Sequence, residues 1–294
     1  MTSAAIVCVL HDSAEDLRRL LRSLEPLAQR PRLVVVDAGS SDDGPDVAAA
    51  WGAEVVRAGD VGFGAANNAG VERVRSSVTI LLNPDIVVHD AAALERLTRH
   101  ARREDALHVP RLLNPDGSIQ RSAHPVPGRP DALLPALLHP RALPAPLRHR
   151  ADPWRAETPD RPVGWAIAAA VAARTDTLRR LGPFDAEQFL FFEDLDLCLR
   201  ARAAGIPTIL HPDVTLEHRG GHSTGPAYGG EPHELLARRR REVVRANLGG
   251  RAVALDDAAQ ALTFATRAAA RALVRRDAGR ERAQLAALRA ARRG

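Results

Sequence analysis

Three short apolar segments near the start of the chain each end at a carboxylate, and this repeat constrains the fold more than any other feature. The predicted strands are 4–10, 32–37 and 78–82, and the carboxylates at or just past their ends are Asp12, Asp37 and Asp85. Apolar runs of this length are typical of strands that are covered on both faces of a sheet. Because helical patterns separate them, the sequence predicts an α/β fold with a mostly parallel central sheet and right-handed crossovers.

Helical patterns fill the segments between these strands and recur in the rest of the chain. After the first strand, leucines repeat at helical spacing, and Ser13 is placed to cap that helix. The predicted helices are 14–24, 45–51, 91–103, 174–181, 262–275 and 283–293, and the acids at 193–196 open another. The remaining predicted strands are 53–57, 163–171, 208–210 and 214–216.

Asp85 lies just past the strand 78–82. Pro84 cannot continue the hydrogen-bond ladder, so pairing stops there and the carboxylate is presented at the carboxyl end of the strand. Ligands bind at this edge in open α/β sheets, and a carboxylate beside Asn83 suits a hard cation that carries a phosphate-bearing ligand. The alternative is a simple Asx-Pro turn. Because Asp37 ends a strand at the same edge, the sequence favours a nucleotide site.

A glycine-rich loop at 59–70 leads into a helix. Such a loop can bring backbone amides close to a phosphate. It lacks the Gly-Lys-Ser/Thr ending of a P-loop, and it does not follow the first strand as a Rossmann fingerprint does. A helix start that needs small residues for packing explains it equally well.

An aromatic run at 189–192 meets three acids, Glu193, Asp194 and Asp196, which open a helix. Acids in a first helical turn interact favourably with the helix dipole, and Asp196 can pair with Arg200 one turn later. Glu193 and Asp194 follow bulky rings that would desolvate them. Desolvation raises a carboxyl pKa and makes a useful base, so this pair is a candidate catalytic site.

The second half of the chain has a different texture. Proline is dense from 110 to 162, and the segment 114–117 predicts a hairpin tip. The stretch 124–154 predicts a long surface excursion with short helical pieces, part of which we expect to cover an acceptor. His218 follows a strand in a glycine-rich turn, where it is either structural or a metal ligand.

Charge and composition narrow the classes of partner. The chain has 294 residues, a net charge of +5 and no lysine, so its positive charge is carried by arginine. The run 238–241 is either the solvated face of terminal helices or a surface that meets an anionic membrane. With 3% aromatic residues and no nucleic-acid motif, nucleic acid is not an expected partner. Two cysteines without a CxxC motif, and no targeting segment, predict a reduced cytoplasmic protein.

The order of these motifs resembles the family 2 glycosyltransferases, which have a GT-A fold. The resemblance covers residues 4 to 225 and rests on five motifs: VVDAGSSDDG (35–44), GFGAANNAG (62–70), NPD (83–85), FEDLDLCLR (192–200) and HRGGHS (218–223). More narrowly, NPDGS (114–118), RPVGW (161–165) and HSTG (222–225) are similar to actinobacterial rhamnosyltransferases that act on polyprenyl-diphosphate-linked N-acetylglucosamine. The resemblance implies an inverting transferase for a dTDP or UDP sugar, with a glycan or polyprenyl-diphosphate-linked acceptor.

The resemblance also implies roles for individual residues. Asp194 would be the catalytic base, with Glu193 orienting it or binding the acceptor beside Trp165. Asp85 would hold Mg²⁺ or Mn²⁺ on the donor diphosphate, with His218 as a further ligand. The implied nucleotide-sugar-binding residues are Leu10, Asp12, Asp37, Gly39, Gly62, Phe63, Asn67, Asn83 and Asp85.

The resemblance further suggests the domain layout. We expect a glycosyltransferase domain at 1–230, with a nucleotide-binding half at 1–109 and an acceptor-binding half at 110–230, followed by a helical extension at 231–294. Positions 11–12, 38 and 60 differ from the family's usual residues on the donor side, and 167–170 and 172–174 differ on the acceptor side. A homodimer and a peripheral membrane contact stay open.

Three other functions are compatible with parts of the pattern. A sugar nucleotidyltransferase would share the strand-end acids, but such enzymes usually need a lysine at the pyrophosphate, and this chain has none. A hydrolase of nucleotide diphosphates would turn over without an acceptor. A catalytically idle sugar-nucleotide-binding or membrane-docking module would bind the nucleotide without transfer.

Overall fold

The computed structural model describes residues 4–27, 30–138, 143–144, 151–157, 161–185, 191–220 and 231–293. The strands are β1 (Ala4–Leu10), β2 (Arg32–Asp37), β3 (Glu54–Arg57), β4 (Val78–Leu82), β5 (Ile86–Val87), β6 (Leu107–Leu113), β7 (Ala123–His124), β8 (Arg161–Val163), β9 (Trp165–Ala166), β10 (Ala170–Arg174) and β11 (Thr208–His218). The α-helices are α1 (Ala14–Leu24), α2 (Gly44–Trp51), α3 (Phe63–Arg73), α4 (Ala93–Arg103), α5 (Leu133–Leu137), α6 (Thr175–Leu181), α7 (Glu193–Ala203), α8 (His233–Leu273) and α9 (Gly279–Ala291).

One large sheet organises the chain. Its strand order is β3-β2-β1-β4-β10-β6-β11-β5, with β8 paired to β11, while β7 and β9 form a separate two-stranded sheet. Strands β1 to β4 are mutually parallel, and β6 runs parallel to β11. Strand β10 lies antiparallel between these two groups. The predicted mostly parallel α/β sheet is confirmed.

Successive strand residues point to opposite sides of the sheet. Helices pack on both sides, so residues on both faces are buried. Ile6 and Ile80 face the leucine stripe of α1, whereas Val7 and Val36 face α3. Helix α3 lies close to the sheet at Gly70, where an added Cβ would be 2.4 Å from a methyl group of Val7. Because these strands are parallel and packed on both faces, their carboxyl ends emerge together at one edge of the sheet.

The second half of the chain departs from the predicted elements. The single strand predicted at 163–171 is wrong, because Gly164 and the turn after β9 divide it into β8, β9 and β10. The two strands predicted at 208–210 and 214–216 form one strand, β11, with a register shift between His211 and Thr215. Strands β5 and β6 were not predicted. The hairpin tip at 114–117 is confirmed by the pairing of Leu113 with Ile119.

The C-terminal helices pack onto the acceptor half. Helix α8 changes direction at Gly249, which adopts a φ of 82°. Arg240 forms two hydrogen bonds of 2.8 Å with the buried Asp256, so this arginine does not belong to a solvated face as the charge run suggested. Arg241 likewise pairs with the buried Asp257.

Neither cysteine takes part in a disulfide, and both Cys8 and Cys198 are buried, as predicted. In the described part of the chain, every helix is too short or too polar to cross a membrane.

Candidate active site

The carboxyl ends of β1, β2 and β4 meet at one edge of the sheet, called the donor edge here because the sequence predicts the nucleotide there. Asp37 ends β2 and is buried. Its carboxylate accepts a hydrogen bond of 2.9 Å from the amide of Ser40 and lies 3.7 Å from the guanidinium of Arg57. The protein itself thus positions this carboxylate in the loop that follows β2.

Asp12 joins the turn after β1 to the loop after β2. Its carboxylate accepts hydrogen bonds from the amide and the hydroxyl of Ser41, at 2.7 and 2.9 Å. Together these two hydrogen bonds lower the pKa of Asp12, and the one from the Ser41 backbone amide contributes more. Asp42 completes the junction, because its carboxylate accepts a hydrogen bond of 2.8 Å from the amide of Ala14 at the start of α1.

Two predicted nucleotide contacts lie in the floor of this edge. Leu10 is fully buried, and its carbonyl accepts a hydrogen bond of 2.8 Å from the amide of Ala38. Gly39 has a φ of 82°, and an added Cβ would lie 3.1 Å from the backbone nitrogen of Asp60. The loops after β2 and β3 approach closely only because this position has no side chain.

The glycine-rich loop ends at Gly62, which precedes the first turn of α3 with a φ of 80°. Phe63 packs edge-to-face on Phe184, with ring centroids 5.8 Å apart. Asn67 is buried, and its side-chain amide donates a hydrogen bond of 3.0 Å to the carbonyl of Phe63. Asn68 exchanges two hydrogen bonds with the backbone of Phe184, at 2.8 and 3.0 Å. Helix α3 therefore links the donor edge to the segment that leads to the acids of α7.

Asp85 and His218 come together although 133 positions separate them in sequence. One carboxylate oxygen of Asp85, Oδ2, lies 3.4 Å from Nε2 of His218 and accepts a hydrogen bond of 2.9 Å from the amide of Gly220. Burial alone would raise the pKa of Asp85, but the hydrogen bond and charge of His218 and the Gly220 amide outweigh it, so the pKa is lowered. Asp85 is therefore ionised at neutral pH.

Gln120 orients the imidazole of His218. Its side-chain oxygen lies 2.7 Å from Nδ1 of His218, while its side-chain nitrogen donates to the side-chain oxygen of Asn114 at 3.2 Å. This arrangement places a proton on Nδ1 and turns Nε2 towards Asp85. Metal-binding histidines usually donate the proton of their second ring nitrogen to a carboxylate, a backbone carbonyl or water. Here the acceptor is the side-chain amide oxygen of Gln120.

The pair fits a divalent cation. Oδ1 of Asp85 is buried and has no hydrogen-bond partner among the described residues, and Nε2 of His218 faces the other carboxylate oxygen. Carboxylate oxygen and imidazole nitrogen are both ligands of Mn²⁺, and carboxylate oxygen suits Mg²⁺. No group of three His, Cys, Asp or Glu side chains in the described ranges could hold a metal by itself. Residues 221–223 of the predicted motif lie outside these ranges.

Glu193 and Asp194 form the first turn of α7. The two residues before them, Phe191 and Phe192, have φ values of 73° and 65°, in the left-handed region that bulky residues seldom adopt. Such strain clusters at functional sites, where the surrounding structure holds it in place. It turns the chain sharply just before the two acids.

Burial raises the pKa of both carboxyl groups. Glu193 is buried, and its Oε2 has no partner among the described residues. Desolvation first, and then the neighbouring charge of Asp194, raise the pKa of Glu193. Desolvation also raises the pKa of Asp194, although the amides of Leu195 and Ala168 offset part of the rise. A carboxylate whose proton affinity is raised in this way is a stronger base.

The loop after β9 joins the metal-competent pair to the acids. The carbonyl of Ala169 accepts a hydrogen bond of 2.9 Å from the amide of Asn83, two residues before Asp85. The amide of the adjacent Ala168 donates to the carboxylate of Asp194. Asp85 and Asp194 are thus connected through two neighbouring residues of one loop.

Asp196 has a structural role. Its carboxylate accepts hydrogen bonds from Arg200 at 2.6 Å and from the side-chain amide of Asn247 at 2.9 Å. Arg200 also donates to the carbonyls of Leu181 and Pro183. The prediction that Asp196 pairs with Arg200 is confirmed, and the pair ties α7 to α8.

Trp165 lies next to the acids. It stacks on His124 with ring centroids 4.2 Å apart, and it lies 6.3 Å from the ring of Phe192. Burial, and then the charges of Arg240 and Arg121, lower the pKa of His124 to about 3, so this imidazole is neutral. Arg240 of α8 lies over Phe192 at 5.7 Å. The surface beside the candidate base therefore combines aromatic rings, a neutral imidazole and the cation of Arg240.

Sequence reasoning did not find three of these residues. Gln120 and His124 lie in the proline-rich stretch, and Arg240 lies in the charge run of the C-terminal helices. Each acts through a contact that is distant in sequence. Gln120 contacts His218 across 98 positions, His124 contacts Trp165 across 41, and Arg240 contacts Phe192 across 48. No pattern in their neighbouring residues marks them.

Comparison with known proteins finds similarity to glycosyltransferases. Residues 5–137 match the family model of glycosyl transferase family 2. An N-acetylglucosaminyl-diphospho-decaprenol L-rhamnosyltransferase of Mycobacterium tuberculosis is 29% identical over 244 residues, which cover 75% of this chain and 77% of that protein.

Two solved structures share the fold. A mannosyltransferase from Pyrobaculum calidifontis, in complex with GDP-Man and Mn²⁺, has a TM-score of 0.56 at 14% identity, covering 98% of this chain and 85% of that one. GalNAc-T7 with UDP, GalNAc and Mn²⁺ has a TM-score of 0.57 at 17% identity, covering 83% of this chain and 48% of that one. The chain therefore shares the GT-A fold of these structures, and its residues 5–137 are similar to glycosyl transferase family 2.

Proposed function

We propose that this enzyme transfers a sugar, which we infer to be rhamnose, from a dTDP or UDP donor to a hydroxyl of a glycan or polyprenyl-diphosphate-linked acceptor. The observation that carries the proposal is the link between two centres: Asp85 with His218 at the donor edge, and Glu193 with Asp194 at the start of α7, connected through the loop after β9. The mycobacterial relative's name supports the choice of sugar and acceptor.

The donor edge binds the nucleoside diphosphate. Asp37, at the end of β2, would contact the base, and the loops that carry Gly39 and Gly62 would bring backbone amides to the sugar nucleotide. Asp85 and His218 would hold Mg²⁺ or Mn²⁺, which when bound neutralises charge on the departing diphosphate. Oxygens of that diphosphate would complete the ligand set beside the two protein ligands.

Asp194 acts on the acceptor. Its carboxylate takes the proton of the acceptor hydroxyl while the hydroxyl oxygen attacks the anomeric carbon of the donor. A new C–O bond to the acceptor forms as the C–O bond to the nucleoside diphosphate breaks. Since attack comes from the face opposite the leaving group, the anomeric configuration inverts. The buried Glu193 keeps its own proton more tightly and positions the acceptor through a hydrogen bond.

The first test is thermal unfolding with a panel of nucleoside diphosphates and sugar nucleotides, each with and without Mn²⁺. A ligand at a hundred times its Kd stabilises the native state by about 2.7 kcal/mol, which is readily measured. We expect a metal-dependent shift with dTDP or UDP, followed by transfer to a short-chain diphosphate-linked N-acetylglucosamine, detected by mass spectrometry. Stabilisation without transfer would favour an idle binding module, and turnover without acceptor would favour a hydrolase.

A further inference from the structure

A second site lies in the acceptor half of the molecule. A cavity of about 660 Å³ separates the segment 121–165 from helix α8, and Trp165 and Arg240 line it on the side of the candidate base. Its walls include residues from outside the family match at 5–137. The cavity is therefore a candidate binding site in addition to the donor edge.

The lining of this cavity carries uncompensated positive charge. Five arginines and three aspartates line it. Each aspartate already has an arginine partner: Asp131 with Arg129 at 3.4 Å, Asp152 with Arg155 at 3.6 Å, and Asp256 with Arg240 at 2.8 Å. Three of the five arginines, Arg121, Arg202 and Arg267, make no ion pair with any residue that the structure describes, and Arg202 lies at an exposed position.

Arg121 and Arg267 approach the cavity from opposite walls. Arg121 precedes β7 and lies over the ring of Trp154, with its guanidinium carbon 5.7 Å from the centroid. Arg267 belongs to α8. Partial burial, and then repulsion from Arg121, lower the pKa of Arg267, although the charges of Asp152 and Glu281 offset part of the fall. Two like charges held near each other destabilise the empty cavity, and a ligand with several negative oxygens removes that cost.

Two tryptophan rings form part of the cavity wall. Trp154 and Trp165 are 7% and 6% exposed, and both line the cavity. The indole N–H of each is buried within the wall. The rings therefore offer flat, rigid surfaces beside the arginines.

We propose that this cavity binds the diphosphate of a lipid-linked acceptor, with Arg121 and Arg267 as the charged clamp and the rings of Trp154 and Trp165 as part of its wall. The assignment rests on the proposed function, because only a transferase that uses such an acceptor needs the site. The sugar next to the diphosphate would then lie against His124 and Trp165, beside the base Asp194.

Apolar side chains continue from the cavity to the surface. Leu134 lines the cavity and is 38% exposed, and Leu137 and Leu138 follow it at 57% and 48%. Exposed leucines grouped in this way mark a contact with an apolar partner. They provide a path for the isoprenoid chain that leaves the diphosphate. The site would therefore match the two parts of the ligand. Positive charge lies inside, where the diphosphate would bind, and apolar surface lies at the rim, where the isoprenoid chain would leave.

The test measures binding of a defined probe, N-acetylglucosaminyl diphosphate with a short isoprenoid chain, by calorimetry in EDTA without donor. We expect Arg121→Gln and Arg267→Gln each to weaken binding about tenfold or more, as the loss of a charge-assisted contact does. The matched control is Arg129→Gln, which lines the same cavity but is paired with Asp131, and its affinity should equal wild type. Arg121→Lys and Arg267→Lys, which keep the charge, should retain part of the affinity.

The probes separate this proposal from the proposed function. A neutral glycoside of the same isoprenoid alcohol should bind much more weakly, and Leu137→Ser should weaken binding of the isoprenoid probe but not of inorganic pyrophosphate. Asp85→Asn should leave probe affinity unchanged. Binding that depends on the arginines, without transfer from any donor, would sink the proposed function and keep this site. If the protein transfers sugar, but neither Arg121→Gln nor Arg267→Gln changes its affinity for the probe, the site is overturned and the proposed function stands.

Discussion

At the donor edge the protein satisfies its own polar groups, whereas the acceptor side leaves several of them buried without partners. Asp37 and Asp12 accept hydrogen bonds from backbone amides of the loop after β2. Across the cleft, Oε2 of Glu193 and the indole N–H groups of Trp154 and Trp165 have no partner among the described residues. The described structure thus satisfies the carboxylates of the donor edge and leaves buried polar atoms unpaired beside α7 and the second cavity.

The exception on the donor edge sharpens the comparison. Oδ1 of Asp85 is buried and unpaired within the described ranges, although its neighbour oxygen accepts from the Gly220 amide. A group left unpaired in an otherwise satisfied region marks the place where something else binds. For Asp85 the chemistry indicates a cation, and for the acceptor side it indicates oxygen-rich polar groups.

The largest expected effect separates the base from the donor edge. Asp194→Asn should lower kcat by about a thousandfold, because the amide cannot take the proton of the acceptor hydroxyl. Donor affinity should stay within about twofold of wild type, since Asp194 lies on the other side of the cleft. Steady-state kinetics and calorimetry with the nucleotide check both statements. The control is Asp213→Asn, an exposed aspartate of β11, and a wild-type rate in Asp194→Asn would remove the base assignment.

The next effect tests the donor edge itself. Asp85→Asn should lower kcat/KM by about a hundredfold or more and should abolish the metal-dependent part of nucleotide binding, because the carboxylate charge is lost. The matched control is Glu217→Gln on the neighbouring strand, whose carboxylate is paired with His89 at 2.9 Å. Equal metal dependence in Asp85→Asn and wild type would contradict the cation site.

The same division explains how much the sequence could predict. Strands β1 and β2 and helix α1 begin and end where the sequence placed them, because an apolar run between polar turns is a local signal. Farther along the chain, β5 and β6 were not predicted, and one expected strand is three short ones in the structure. These elements are stabilised by contacts distant in sequence, such as the pairing of β6 with β11, which no local window contains.

The site follows the same rule. Asp85 and Asp194 stand in motifs that adjacent residues define, so they were found from the sequence. Gln120 acts on a histidine 98 positions away, and Arg240 acts on Phe192 from a charge run that resembles a solvated helix face. The cavity between 121–165 and α8 has no sequence signature because two distant segments form it.

Arg240 tests whether the C-terminal helices belong to the acceptor side. Arg240→Met should destabilise the protein by about 3 kcal/mol, because it leaves the buried carboxylate of Asp256 without its cation. Urea unfolding gives this value. Arg238→Met, at an exposed position in the same run, should change stability by less than about 0.5 kcal/mol. Adding Asp256→Leu to Arg240→Met should restore much of the loss, since no unpaired charge then stays buried.

Glu193 tests the raised proton affinity on the acceptor side. Its pKa in the folded protein is raised above the ordinary 4.5, so the stability linked to its bound proton is present at low pH and is lost as pH rises through the folded pKa. Glu193→Gln is neutral throughout. The variant should therefore match wild type near pH 4 and exceed it by roughly 2 kcal/mol near pH 9. Unfolding measured across this range checks the slope, and an advantage that shrinks with rising pH would reverse the assignment.

The smallest expected effect concerns how the donor edge is preformed. Gln120 accepts the Nδ1 proton of His218 at 2.7 Å and thereby keeps Nε2 turned to Asp85. Gln120→Leu should weaken metal affinity about tenfold, which is about 1.4 kcal/mol, because the imidazole loses the partner that fixes its orientation and tautomer. The rate at saturating metal should change little, since Gln120 touches neither substrate nor base. Gln120→Glu, which keeps an acceptor at this position, should retain the affinity. If Gln120 has only a structural role, both variants should lose stability and neither should change the metal affinity. A difference in metal affinity between Gln120→Leu and Gln120→Glu therefore decides whether the donor edge depends on this contact.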